Sequence, residues 1–128
     1  MKLLLDTQAF LWFVTDDPRL SGAARVAIED AGNDRALSIA SVWEMAIKHR
    51  INKLHFTDPF NQFILNETVN NSITLLPIAV EHAMAVAILP LHHRDPFDRL
   101  LIVQASIEKM VIVSSDEAID QYGAGRIW

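Results

Sequence analysis

Short runs of mostly apolar residues are the feature that most restricts the fold of this chain. The runs are "KLLLD" (2–6), "RALSIA" (35–40), "SITLLP" (72–77) and "MVIVSSD" (110–116), and "RIW" (126–128) predicts a short last strand. Strands with one solvated face alternate polar and apolar residues, whereas strands covered on both faces are continuously apolar. Because helical patterns separate the runs, we expect an α/β fold. It would be a three-layer α/β/α sandwich with a mostly parallel sheet of four to five strands.

The segments between the strands predict helices, and several carry start signals. Ser21 is a candidate N-cap, and Ser41 and Glu44 stand at capping-box spacing. Two further helices open with Asp-Pro, at 58–59 and 95–96. The predicted helical segments are 7–14, 21–32, 41–51, 58–71, 79–89 and 95–109, with a helical turn at 117–123.

Length and composition are those of a single globular domain, which we assign to residues 1–128. The absence of cysteine excludes disulfides, thiolate metal sites and cysteine nucleophiles. The N-terminus does not have the pattern of a signal peptide, and no apolar window is long enough to span a membrane. We therefore expect a cytoplasmic protein. The net charge of −5 implies that any contact with nucleic acid uses a local basic patch or a bound metal.

Four acidic residues follow the predicted strands or open the helices after them. Asp6 and Asp116 end the first and fourth predicted strands, and Glu44 and Asp98 lie in the first turns of two helices. In an open parallel sheet, ligands bind at the carboxyl ends of the strands. The four acids therefore form a candidate site at that edge.

The same acids could serve only as helix caps, and the residues alone leave both interpretations open. A cap contributes about 1 kcal/mol. Two carboxylates about 5 Å apart at an effective dielectric near 20 repel each other by about 3 kcal/mol. If the four acids converge, capping cannot offset the repulsion, so they must take up protons or hold a cation. Oxygen ligands suit Mg²⁺ or Mn²⁺.

The chain resembles PIN-domain proteins, specifically VapC-type toxins of toxin–antitoxin pairs. Four blocks in order carry the resemblance: "LLLDTQAFLWF", "SIASVWEMAIKHRINKL", "LPLHHRDPFDRLLIVQA" and "IVSSDEAIDQYG". By this resemblance the acids of the site fall on Asp6, Glu44, Asp98 (rather than Asp95) and Asp116. The small polar residues of the family's site fall on Thr7 and Ser114. At position 114 this chain has serine, whereas threonine is common in the family.

The resemblance implies a Mg²⁺-dependent ribonuclease, with Mn²⁺ as a substitute ion. Asp6, Asp98 and Asp116 would coordinate metal, and Glu44 would be a ligand or would position one through water. Such an enzyme hydrolyses RNA without a histidine base. The resemblance also implies a homodimer and a cognate antitoxin protein. Two alternatives stay open: a PIN-fold nuclease with a role in RNA processing, and a non-catalytic α/β binding module whose acids are helix caps.

Three basic residues are candidates for contacts with RNA phosphates. Arg94 and Arg99 flank the expected site, and Lys48 belongs to the basic stretch "KHRINKLH". That stretch could equally be the solvated end of a helix, where cations are favoured. His92 and His93 are expected in a polar loop before the last long helix.

Overall fold

A computed structural model describes residues 1–93 and 95–128. Five parallel strands form one sheet in the order β3-β2-β1-β4-β5. The strands are β1 (Lys2–Leu5), β2 (Asp34–Ser38), β3 (Ile73–Leu76), β4 (Val111–Val113) and β5 (Arg126–Ile127). The predicted α/β architecture is therefore confirmed, with a sheet that is parallel at all four pairings.

In the part of the chain that the structure describes, six α-helices and two short 3₁₀ helices connect the strands. The α-helices are α1 (Thr7–Val14), α2 (Gly22–Glu29), α3 (Ile39–Arg50), α4 (Phe60–Asn70), α5 (Val80–Ala85) and α6 (Pro96–Glu108). The 3₁₀ helices are Val86–Ile88 and Glu117–Tyr122. Within the described residues, no helix combines the length and the apolar character needed to cross a membrane.

Both faces of the central strand are buried, as its continuous apolar run predicts. Leu3 and Leu5 pack into a core with Phe10 of α1, whereas Leu4 packs on the opposite face with Leu101 of α6. Successive side chains of a strand point to opposite faces, so these three leucines fill both layers.

The register of the sheet brings the carboxyl ends of three strands level with one another. Leu5 pairs with Leu37 of β2 and with Val113 of β4. The backbone N–H of Asp6 continues the ladder by donating to the carbonyl of Val113 (3.1 Å). The residues that follow β1, β2 and β4 therefore emerge at one edge.

The start of α3 differs from the predicted one. Ser38 is the N-cap: its hydroxyl accepts from the N–H of Ala40 (3.0 Å) and donates to Oε1 of Gln104 (2.6 Å). The helix consequently begins at Ile39, and Ser41 lies inside it, buried and without a hydrogen-bond partner among the described residues. The predicted Ser41–Glu44 capping box is wrong, and Glu44 lies in the second turn rather than the first.

Two other predicted boundaries are displaced. Asp58 does not cap α4, which begins at Phe60 after an N-cap Pro59 without a side-chain hydrogen bond. Strand β4 ends at Val113, three residues before Asp116, because the chain turns there into the 3₁₀ helix that Asp116 caps.

Candidate active site

Asp6 leaves β1 and points its carboxylate at the start of α1. Oδ1 accepts a hydrogen bond from the N–H of Ala9 (2.7 Å), so Asp6 is the N-cap of that helix. Burial raises the pKa of Asp6, and hydrogen bonds from the Ser114 hydroxyl and from Ala9 partly offset the rise. The negative charges of Glu44 and Asp116 also raise this pKa, so Asp6 is close enough to both to repel them.

Glu44 caps no helix, and both of its carboxylate oxygens have side-chain partners. Thr7 donates its hydroxyl to Oε1 (2.6 Å), and Nζ of Lys48 lies 2.9 Å from Oε2. Thr7, predicted as a polar residue of the site, thus holds Glu44 across the gap between α1 and α3. Lys48 lies one helical turn after Glu44 and is paired with it.

Asp98 is the third residue of α6, and its neighbour Asp95 provides the cap of that helix. Oδ1 of Asp95 accepts from the N–H groups of Phe97 (2.8 Å) and Asp98 (3.3 Å), as the Asp-Pro pattern predicts. The carboxyl group of Asp98 takes no part in capping and lies partly buried at the edge of the sheet.

The environment of Asp98 is strongly unfavourable for a negative charge. Its pKa is raised to about 7, first by burial and then by the charges of Asp95, Asp6 and Glu44, while His93 lowers it. A carboxyl group so perturbed by other acids marks a place that favours an added positive charge.

Asp116 reaches the other acids through His93. Oδ1 of Asp116 accepts from the N–H of Ala118 (3.0 Å), which caps the 3₁₀ helix. Oδ2 lies 2.5 Å from Nε2 of His93, and the same nitrogen lies 3.1 Å from Oδ2 of Asp98. The ligand atoms of these three residues all lie within 4.8 Å of one another. Ser114 supports the turn by accepting from the N–H of Asp116 (3.0 Å).

A cleft of about 140 Å³ opens at this edge. Three of the four predicted acids line it: Asp6, Glu44 and Asp98. Asp116 adjoins it through the contact with His93 and through its charge on Asp6. The remaining lining residues are Thr7, Gln8, Leu11, Lys48 and Leu54. The structure therefore brings together acids from opposite ends of the chain.

The donor set of this cleft fits a hard divalent cation. Every candidate ligand among the four acids is a carboxylate oxygen, which Mg²⁺ and Mn²⁺ prefer. Lys48 is the one cationic residue among the described residues that line the cleft, and it is already paired with Glu44. Asp6, Asp98 and Asp116 thus lack a neighbouring lysine or arginine that would balance their charge within the described cleft lining.

Arg99 does not fit its predicted role as a contact with RNA phosphate. Arg99 is buried, and its terminal nitrogens donate to four backbone carbonyls between Val86 and His93 at 2.9–3.2 Å. Because these hydrogen bonds occupy its guanidinium, Arg99 is not available to contact an RNA phosphate. Arg94 lies outside the described residues.

His93 is the residue of this site that sequence reasoning missed. Its contact with Asp116 joins positions 23 residues apart, and no local pattern encodes that contact. The sequence did offer one hint, since His93 stands five positions before Asp98 and therefore near the start of the same helix.

The sequence matches the family model of the PIN domain over residues 3–125. The chain belongs to the PIN-domain family. PIN domains are generally nucleases that use divalent metal ions, in agreement with the acidic cleft. A comparison with curated protein sequences gives no match.

Solved structures with the same fold include members of toxin–antitoxin complexes. A chain of VapBC2 from Rickettsia felis, bound to a promoter DNA fragment, superposes with a TM-score of 0.70 at 13% identity, covering 98% of this chain and 97% of that one. A chain of VapBC-1 from nontypeable Haemophilus influenzae superposes with a TM-score of 0.68 at 13% identity, covering 98% of this chain and 96% of that one. A chain of FitAcB from Neisseria gonorrhoeae superposes with a TM-score of 0.61 at 15% identity, covering 97% of this chain and 95% of that one. At these identities the likeness concerns the fold.

Proposed function

We propose that this PIN-domain protein is a Mg²⁺-dependent endoribonuclease and the toxin of a type II toxin–antitoxin module. The observation that carries the proposal is the placement of Glu44 and Asp98. Neither residue caps a helix, yet both face the cleft that Asp6 lines. A purely structural role would not require two further acids beside Asp6 in this cleft. Burial and the charges of the neighbouring acids raise the pKa of Asp98 to about 7.

Asp6, Asp98 and Asp116 would hold the cation, with Glu44 as a further ligand or as an acceptor for metal-bound water. A bound Mg²⁺ or Mn²⁺ would activate water for attack on an RNA phosphodiester and offset the developing negative charge. Thr7 and Lys48 fix the orientation of Glu44 from two sides. Ser114 supports the turn that carries Asp116 and lowers the pKa of Asp6. Asp98 must lose its proton before it can serve as a ligand.

Lys48 remains a candidate for contact with a substrate phosphate. Its Nζ lies at the wall of the cleft, and its side chain is 43% exposed. A phosphate that enters the cleft would meet this ammonium group beside the carboxylates, as backbone recognition of RNA requires.

We further propose a cognate antitoxin as protein partner, a homodimer as the working assembly, and the cytoplasm as the site of action. Support comes from the similar solved folds, which are parts of VapBC and FitAB assemblies, two of them with DNA. Because those chains share only the fold with this one, the antitoxin and the homodimer are proposed separately from the nuclease activity.

The test is cleavage of total RNA by the purified protein in the presence of Mg²⁺. We expect wild-type protein to fragment RNA, and we expect chelator or Asp6→Asn to abolish fragmentation. Asp58→Asn is the control: it makes the same change at an exposed aspartate that is not among the described residues lining the cleft.

Identical RNA profiles for wild type and Asp6→Asn would refute the nuclease. They would favour the binding module whose acids are caps. Cleavage confined to a single precursor RNA, without growth arrest on expression, would favour a role in RNA processing over the toxin.

A further inference from the structure

The imidazole of His93 lies where two of the proposed metal ligands meet. Nε2 is 2.5 Å from Oδ2 of Asp116 and 3.1 Å from Oδ2 of Asp98. These contacts join the start of α6 to the turn after β4. His93 therefore belongs to the acidic cluster, although the proposed mechanism assigns it no task.

The other ring nitrogen identifies which tautomer makes these contacts. Nδ1 lies 3.1 Å from the backbone N–H of Asp95 and accepts a hydrogen bond from it. An accepting Nδ1 carries a lone pair, so in the neutral ring the hydrogen is on Nε2. His93 therefore donates to Asp98 and Asp116. While the Asp95 bond is in place, Nε2 has no lone pair to offer a metal.

The free oxygen of Asp116 is the one that His93 contacts. Oδ1 is engaged by the N–H of Ala118, so Oδ2 is the oxygen open to a ligand. Magnesium binds carboxylate oxygens at about 2.0–2.1 Å. A cation bound through the Oδ2 atoms of Asp98 and Asp116 would compete with the Nε2–H of His93 for the same two oxygens.

The backbone of His93 is held at both of its polar groups. Its N–H donates to the Tyr122 hydroxyl (2.7 Å), which in turn donates to the carbonyl of Pro90 (2.9 Å). Its carbonyl accepts from Nη1 of Arg99 (3.2 Å). Movement of the ring therefore requires rotation of the side chain and not displacement of the loop.

We propose that His93 is a side-chain gate of the metal site: it competes with the divalent cation for Asp98 and Asp116 and must rotate away when the ion binds. This inference rests on the proposed metal site and adds a residue that limits its affinity. Loss of the ring removes the donor that competes for Asp98 and Asp116, and this favours the cation.

Binding of Mn²⁺ to the full-length protein, measured by isothermal titration calorimetry at fixed pH and salt, tests the gate without an activity assay. We expect His93→Ala to bind Mn²⁺ about tenfold more tightly than wild type, the size expected for loss of a hydrogen bond to a charged group. His93→Gln keeps an N–H donor and should fall between the two. His55→Ala, at an exposed histidine distant in sequence from the acids, is the control and should match wild type.

Circular dichroism of each variant verifies the fold, and His93→Gln provides the comparison if His93→Ala does not fold. Equal or weaker Mn²⁺ binding by folded His93 variants would overturn the gate and leave the proposed nuclease intact. Absence of Mn²⁺ binding in wild type and in every variant would overturn the metal site, and the gate with it.

Discussion

At the scale of the residue, a carboxylate can cap a helix and still serve a site, because it has two oxygens. In both Asp6 and Asp116, Oδ1 accepts a hydrogen bond from a backbone N–H at the start of a helix. Oδ2 of Asp116 remains for other contacts, and in this structure it contacts Nε2 of His93. Capping and chemistry are therefore compatible at these positions. Glu44 and Asp98, which cap nothing, distinguish a site from a set of caps.

The neighbouring acids Asp95 and Asp98 should respond differently to the same substitution. Asp95→Asn retains a good N-cap, so ribonuclease activity and stability should stay close to wild type. Asp98→Asn removes a proposed metal ligand and should lower the rate by roughly a hundredfold or more. Initial rates on a defined RNA under saturating Mg²⁺ would measure both. Similar losses in the two variants would contradict this division of roles.

The raised pKa of Asp98 predicts a dependence of stability on pH. Its pKa is about 7 in the folded chain against a usual value of 3.8, so the folded state binds the proton more tightly than the unfolded state. Stability from this group is present below pH 3.8 and is lost as pH rises towards about 7. In chelator, wild type should therefore lose more stability between pH 5 and pH 8 than Asp98→Asn.

Urea unfolding at several pH values would measure this difference. Added Mn²⁺ should restore the stability of wild type at pH 8, since a ligand at 100 times its dissociation constant contributes about 2.7 kcal/mol. An identical pH profile for wild type and Asp98→Asn would contradict the assignment of the raised pKa.

At the scale of the element, α6 organises the segment in front of it as well as the site. Arg99, in the first turn of α6, donates to the carbonyls of Val86, Leu89, Pro90 and His93. Residues 89–93 form no helix or strand, and this guanidinium donates to the carbonyls of three of them, Leu89, Pro90 and His93. Arg99 is thus a positioning residue for His93.

Arg99→Ala should strongly destabilise the protein. Loss of hydrogen bonds from a buried charged group to several carbonyls costs about 3 kcal/mol. Arg19→Ala is the control, because its ion pair with Asp17 lies at the surface and such pairs contribute less than about 1 kcal/mol. Urea unfolding would measure both variants. A loss in Arg99→Ala no larger than that in Arg19→Ala would show that the carbonyl contacts matter little.

A second histidine repeats the hydrogen-bond pattern of His93 in a structural setting. Nδ1 of His82 accepts from the N–H of Ala79 at the start of α5 (2.9 Å), and Nε2 lies 3.2 Å from Glu108. Because Nδ1 is occupied by a backbone donor, the ring donates to the carboxylate and closes a helix end. The pattern by itself assigns no task, because His82 also lies beside two acids, Glu81 and Glu108. His93 differs in its contact with Asp98, which lines the cleft.

At the scale of the whole molecule, the parallel sheet assembles the site from four separate segments. β1 and β4 lie side by side, and β2 lies on the other side of β1, so the residues after these strands share one edge. The helix α6 then adds Asp98 from its first turn.

The proposed homodimer predicts the mass of the protein in solution. Light scattering after size exclusion should give about twice the chain mass of 14.4 kDa in chelator and in Mg²⁺ alike. Dimers form commonly among soluble proteins and need no metal when an apolar interface holds them. A mass equal to one chain across the micromolar range would refute the dimer.

The amino-acid sequence by itself determined the strands, most of the helices and the edge at which the acids gather. Apolar runs and caps such as Asp95 and Ser21 act between residues that are close in the chain, so a local pattern predicts them. The predicted start of α3 failed where a distant partner is involved: Ser38 caps the helix, which begins at Ile39, and also donates to Gln104, 66 positions away.

The tertiary structure alone decided which groups in the cleft are engaged with one another. Lys48 and Thr7 hold Glu44, Arg99 turns inward to carbonyls, and His93 meets Asp116. The contacts of Thr7 and His93 join residues 37 and 23 positions apart. Their geometry depends on packing and strand register, because charge and hydrogen bonding act through space and not along the chain.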